Sequence, residues 1–169
     1  ASDKNWGLLS CSYALFKGYT LGIVTQIYNM QYQGLPMQAL LLTVLVLFLQ
    51  TAAYYSGFVT VTEKFKRTVM VATGAVGIFY LISFIIALVT PSNTPSYFTS
   101  TSTISIFINL AIVALASFYI LIDLDHIQKS INNRLPSRTG WYCAFGLLTT
   151  LIWLYVEILR LLSRLQKRR

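Results

Sequence analysis

Charge is the scarcest commodity in this chain. Charged residues make up 11% of its 169 positions, where a soluble domain usually carries about 25%. Acids are rarer still: five Asp and Glu stand against 13 Lys and Arg, with one histidine and two cysteines. Cys11 and Cys143 lie in apolar segments and form neither a CxxC nor a metal-ligand pattern, so they read as small core residues rather than a disulfide or zinc site. The charges that exist are gathered into short clusters. None of Asp, Glu, Lys, Arg or His occurs from Gly18 to Thr62, from Thr68 to Ile122, or from Thr139 to Val156. A water-soluble domain cannot hide that much uncharged sequence. Each of the first two tracts is also too long for one span of about 20 residues and divides into two.

What is present is apolar. Hydrophobic residues reach 56% and the mean hydropathy is +0.63. The pattern predicts an all-α, polytopic membrane helix bundle of about five transmembrane helices, with residues 1–169 as a single transmembrane domain. The expected spans are 8–29, 37–58, 68–89, 104–124 and 141–162. Gly34 and Pro36 break the chain between the first two. Glu63, Lys64, Lys66 and Arg67 form a charged turn before the third. The stretch Thr90–Thr103, with two prolines and no charge, reads as an exposed loop. A polar link around Pro136, with Lys129, Arg134 and Arg138, separates the last two spans. Gly74 and Gly77, with Ala72 and Ala75, allow close approach of a neighbouring helix.

A net charge of +8 raises the question of nucleic acid, but the Lys and Arg sit at the ends of apolar tracts, where they meet lipid headgroups. The expected partner is the bilayer, with a membrane-protein partner or oligomer as a further expectation and no nucleic acid. The basic links before the third and fifth spans lie on one side and are placed in the cytoplasm with Lys4. The basic tail, with Arg164, Lys167, Arg168 and Arg169, then conflicts with five complete crossings. Either the last span turns back or the tail is a local exception, and a full crossing is the preferred reading. No cleavable signal peptide is evident, and a first residue of Ala1 points to processing or to a longer chain.

A carboxylate inside a span is costly and normally faces the bundle interior, a partner or water. Two segments carry one: Ile-Leu-Ile-Asp123-Leu-Asp125-His126 and Leu-Tyr-Val-Glu157-Ile-Leu-Arg160. Each has a bland explanation. Asp125 is four residues from Lys129, and Glu157 three from Arg160, the spacings of intrahelical ion pairs. His126 is expected at the interface near the first pair, in a structural role. Asp123-Leu-Asp125 also matches the DxD pattern of nucleotide-sugar enzymes. No Gly-rich phosphate loop or second acidic cluster accompanies it, so no enzyme activity and no catalytic residues are expected.

At these same residues the chain resembles the Bax inhibitor-1 family, also called transmembrane Bax inhibitor motif proteins, in a variant closest to a bacterial branch. The matching pieces are SFYILIDLDHIQ, from Ser117 to Gln128, and LIWLYVEILRLLSRL, from Leu151 to Leu165. The order of charged turns and spans from Tyr13 onward is similar too. The resemblance implies a seven-helix bundle with the last helix surrounded by the others, of which the first two helices, including a basic residue on the second, are missing here. It also implies a pH-sensitive calcium leak in a bacterial inner membrane. Two acids from the last two helices would share a proton, and they map onto Asp123 and Glu157, with Asp125, His126 and Arg160 as accessory residues. Ca²⁺ is the implied ion, held by Asp123 and Glu157, and no other cofactor is required. Two close carboxylates cannot both ionise easily, so protonation would hold the helices together and deprotonation would separate them.

The alternative is a non-transporting subunit or regulator of another membrane complex, such as a membrane protease. The level of the two acids is the point at issue. With helix ends near Asn132 and Ser137, Asp123 lies about 15 Å from the turn and Glu157 about 30 Å, at 1.5 Å per residue. A break at Gly146, with Trp141 to Phe145 along the interface, is what would bring them level.

Overall fold

The computed structural model describes residues 3–89 and 103–168, which form five helices. They are α1 (Asp3–Gln31), α2 (Leu35–Tyr55), α3 (Glu63–Val89), α4 (Thr103–Asn132) and α5 (Ser137–Arg168). The expected loop over Thr90–Ser102 lies outside the described residues. α2, α3, α4 and α5 are long and apolar enough to cross a membrane. α1 is as long, but Lys17 and its Tyr, Thr, Ser and Gln residues dilute its apolar character, so it falls short of the other four.

Local chemistry places each boundary. Gly34 adopts φ 78°, a left-handed conformation cheap only for glycine, and its N–H donates to Asn29 Oδ1 at 3.2 Å. Pro36 then stands in the first turn of α2, where no amide donor is needed. Gly57, at φ 73°, terminates α2 at Tyr55, three residues before the expected end at Phe58. α3 begins earlier than its apolar tract because Thr62 caps it: Thr62 Oγ1 accepts from the Phe65 N–H at 3.2 Å, and Glu63 occupies the first turn. Between α4 and α5, Arg134 takes a positive φ of 48° and Pro136 precedes the new helix.

α5 has 32 residues without interruption, about 48 Å of helix against a hydrocarbon core of about 30 Å. No break occurs at Gly146, and the helix does not turn back. α5 packs most extensively on α4, then on α2 and α1. The fully buried centre is made by Leu35 and Ala39 of α2, Ala116 and Ile120 of α4, and Leu154 and Leu159 of α5. α3 stands at the edge, against α4, with only Lys66, Val69 and Ser83 buried. Its small residues do not serve the expected close contact: a Cβ added at Gly74 or Gly77 would meet nothing within 4 Å. The outer faces present Leu41, Phe48, Ile78, Leu81 and Phe84, as the lipid-facing side of a membrane bundle must.

Candidate functional site

Asp123 sits on α4 among Ile120, Leu121, Ile122 and Leu124, all buried. The residue is 8% exposed, and its Oδ2 has no hydrogen-bond partner among the described residues. Across from it α5 offers small and hydroxylic side chains. The carboxyl lies beside the Thr150 hydroxyl, which itself donates to the Gly146 carbonyl at 3.2 Å. A Cβ built on Gly146 would stand 3.6 Å from Asp123 Oδ1, so the glycine leaves the carboxylate an open face. That face looks into a cavity of about 480 Å³ between α3, α4 and α5. His126 lines the same cavity and is exposed, so it neighbours Asp123 rather than the Asp125–Lys129 pair.

Asp125, two residues on, points elsewhere and is fully compensated. Lys66 of α3 approaches its Oδ2 at 2.6 Å and Lys129 at 3.1 Å, while the Tyr54 hydroxyl donates to Oδ1 at 3.4 Å. Glu63 completes the cluster, 3.2 Å from Lys66 and 3.5 Å from Lys129. The expected Asp125–Lys129 pair is therefore present. Lys66 and Tyr54 could not be assigned to it from one sequence, because nothing in a charged turn says which distant acid it will meet.

Glu157 is 1% exposed and densely satisfied. The Tyr80 hydroxyl of α3 donates to its Oε1 at 2.7 Å, and Asn109 Nδ2 of α4 donates to its Oε2 at 2.9 Å. Arg160, one turn along α5, donates to both oxygens at 3.2 and 3.3 Å. Arg160 also donates to the Tyr80 hydroxyl at 2.9 Å and lies over that ring. The intrahelical pair anticipated from spacing is thus the setting that Glu157 occupies. Tyr80 and Asn109 were missed, although an amide in the run Ile-Phe-Ile-Asn109-Leu-Ala is a signal of its own, since polar groups in a span seek a partner helix.

The structure does not bring Asp123 and Glu157 together. Asp123 stands opposite Gly146, and from there to Glu157 α5 rises about 16 Å. Asn109, the α4 residue that meets Glu157, is about 21 Å along its helix from Asp123. The cause is the unbroken course of α5 after the turn at Arg134 and Pro136. The shared proton and the jointly held Ca²⁺ ion are corrected accordingly. Calcium takes six to eight oxygen ligands, whereas both Glu157 oxygens are engaged by donors. No group of three His, Cys, Asp or Glu converges among the described residues. Cys11 and Cys143 are free thiols, the first exposed rather than in the core.

Against this geometry, a family model described as Bax inhibitor 1 like matches residues 3–167. Neither the curated proteins nor the solved structures give a match.

Proposed function

The chain belongs to the Bax inhibitor 1 like family, a multi-pass integral membrane protein, and from that premise we propose that it is a non-enzymatic cation leak with Asp123 as its ion station. Calcium is the transported ion and a bacterial inner membrane the setting. One observation carries the reading: among the described residues Asp123 is a buried acid with no Lys or Arg within ion-pair distance, His126 being its titratable neighbour. Asp125, Glu157 and Glu63 each have a Lys or Arg within ion-pair distance, and among the described residues no ion pair reaches Asp123. An uncompensated carboxylate at membrane depth is expensive, and the return for that expense is attraction of a mobile cation. A cavity of about 480 Å³ gives that cation room.

Asp123 acts alone in this reading. Glu157 is a fixed strut neutralised by Arg160. Protonation of Asp123 removes the attracting charge, so flux falls as the medium is acidified. The test is calcium flux into liposomes holding the purified protein. Asp123→Asn lowers the flux at least about tenfold, the change expected from losing a single charge–cation contact, while Glu157→Gln retains flux per folded molecule. Wild-type flux in Asp123→Asn vesicles overturns the role of Asp123. Absence of flux from the wild type favours a non-transporting subunit or regulator of another membrane complex instead.

A further inference from the structure

We infer that the Asp123 cavity binds a small organic ammonium ion, which competes there with the permeating cation. The inference rests on the reading of Asp123 as a cation station and concerns what else that station accepts. Two buried polar atoms on its wall, Asp123 Oδ2 and Thr73 Oγ1, have no hydrogen-bond partner among the described residues. An orphaned carboxylate oxygen 8% exposed in an apolar helix is a cost that a ligand can relieve. The rest of the wall says which ligand. Tyr119, Tyr142, Phe145 and Trp153 line the cavity together with the single carboxylate, the Phe145 ring also packing on Tyr13. Hydroxyls of Thr73, Tyr119, Tyr142, Thr149 and Thr150 on the same wall serve the permeating hard cation with which the ligand competes. Aromatic faces attract a diffuse, weakly hydrated positive charge, and quaternary ammonium groups are recognised in this way. One acid with several rings is the composition of an ammonium pocket, and a cavity of about 480 Å³ falls within the range of small-molecule sites.

The entrance is placed suitably. Asp123 is nine residues from the end of α4 at Asn132, about 14 Å at 1.5 Å per residue. Exposed His126 and Tyr142, at 68% exposure, stand on the same wall. The short distance to the polar α4–α5 link is the route by which a water-soluble amine would reach the acid.

The probe is radiolabelled choline, titrated at pH 8 against the full chain in detergent micelles, with sodium chloride at matched ionic strength as control. Binding is expected to saturate, to resist sodium, and to weaken about tenfold or more in Asp123→Asn, and several-fold in Trp153→Leu, as loss of the charge or of a ring face implies. Glu157→Gln binds as the wild type does. Tyr142→Ala also weakens binding and decides the matter if Asp123→Asn does not fold. Unsaturable binding, or saturable binding unchanged in Tyr142→Ala and in folded Asp123→Asn, overturns the inference and leaves a water-filled cavity. Calcium flux in vesicles of the same protein separates the two readings. Flux without choline binding sinks this inference alone, and Asp123-dependent choline binding without flux sinks the transport reading alone.

Discussion

Glu157 and Asp123 are both acids on facing helices, buried to 1% and 8% exposure, yet they have opposite surroundings. Glu157 receives donors from three helices: Tyr80 on α3, Asn109 on α4 and Arg160 on its own α5. Asp123 has a hydroxyl beside it, a glycine opposite, an open cavity and an orphaned oxygen. The comparison teaches that depth alone does not mark a functional acid. A buried charge that is paired and hydrogen-bonded holds a structure together, and its removal leaves its partner stranded. A buried carboxylate with no ion pair costs the fold instead of holding it together.

The contrast is sharpest where it can be broken. Glu157→Ala strands Arg160 and is expected to lower stability by about 3 kcal/mol, the low end for removing one member of a buried pair. A thermal melt of the detergent-solubilised protein that matches wild type would remove Glu157 from the structural side. Tyr80→Phe deletes one donor to Glu157 and lowers stability by about 1 kcal/mol. Its effect should shrink without vanishing in a Glu157→Ala background, where the Tyr80 hydroxyl still accepts from Arg160, and a double-mutant cycle measures the difference. Gly146→Ala replaces a helix-interior glycine where a methyl makes ordinary contact, 3.6 Å from Asp123 Oδ1. It raises stability by about 0.5 kcal/mol and reduces flux by narrowing the open face of the acid; an unchanged flux would show that this face is not used. Asp123→Asn has the smallest effect on the fold. Its melting temperature stays level or rises, because no ion pair is lost and a buried charge disappears. A large drop would mean that Asp123 has structural work after all.

Much of this architecture was legible in residue order. The three charge-free tracts show directly that the chain is membrane-embedded and helical, because a bilayer admits few alternatives. Local pairings were legible too: Asp125 with Lys129 and Glu157 with Arg160 follow from helical spacing. What sequence could not supply was register between helices. Lys66 reaching Asp125, and Tyr80 and Asn109 reaching Glu157, depend on how far α3 and α4 slide along their neighbours, and no spacing within one helix encodes that. The same gap misled the pairing of Asp123 with Glu157. The levels implied by counting from the turn, about 15 and 30 Å, already separated the two acids, and Gly146 opens a face for Asp123 instead of breaking the helix. α1 shows a further limit, since one lysine and scattered polar residues make its span less apolar than its length suggests.

Arg164 of α5 is 6% exposed and donates to the Ser105 carbonyl of α4 at 2.8 Å. Its charge is spent inside the bundle, as is most of that of Arg160, so neither is free to greet phosphates at the surface. Exposed Lys167 and Arg168 remain at that end, while at the opposite end Lys64 and Arg67 at the start of α3, Arg134 on the α4–α5 link and Arg138 at the start of α5 are exposed. Weighed by the guanidinium and ammonium groups that can touch headgroups, the ends of the molecule are unequal. The basic tail then contests the topology less than a count of letters suggests, and the two links decide which leaflet the protein faces.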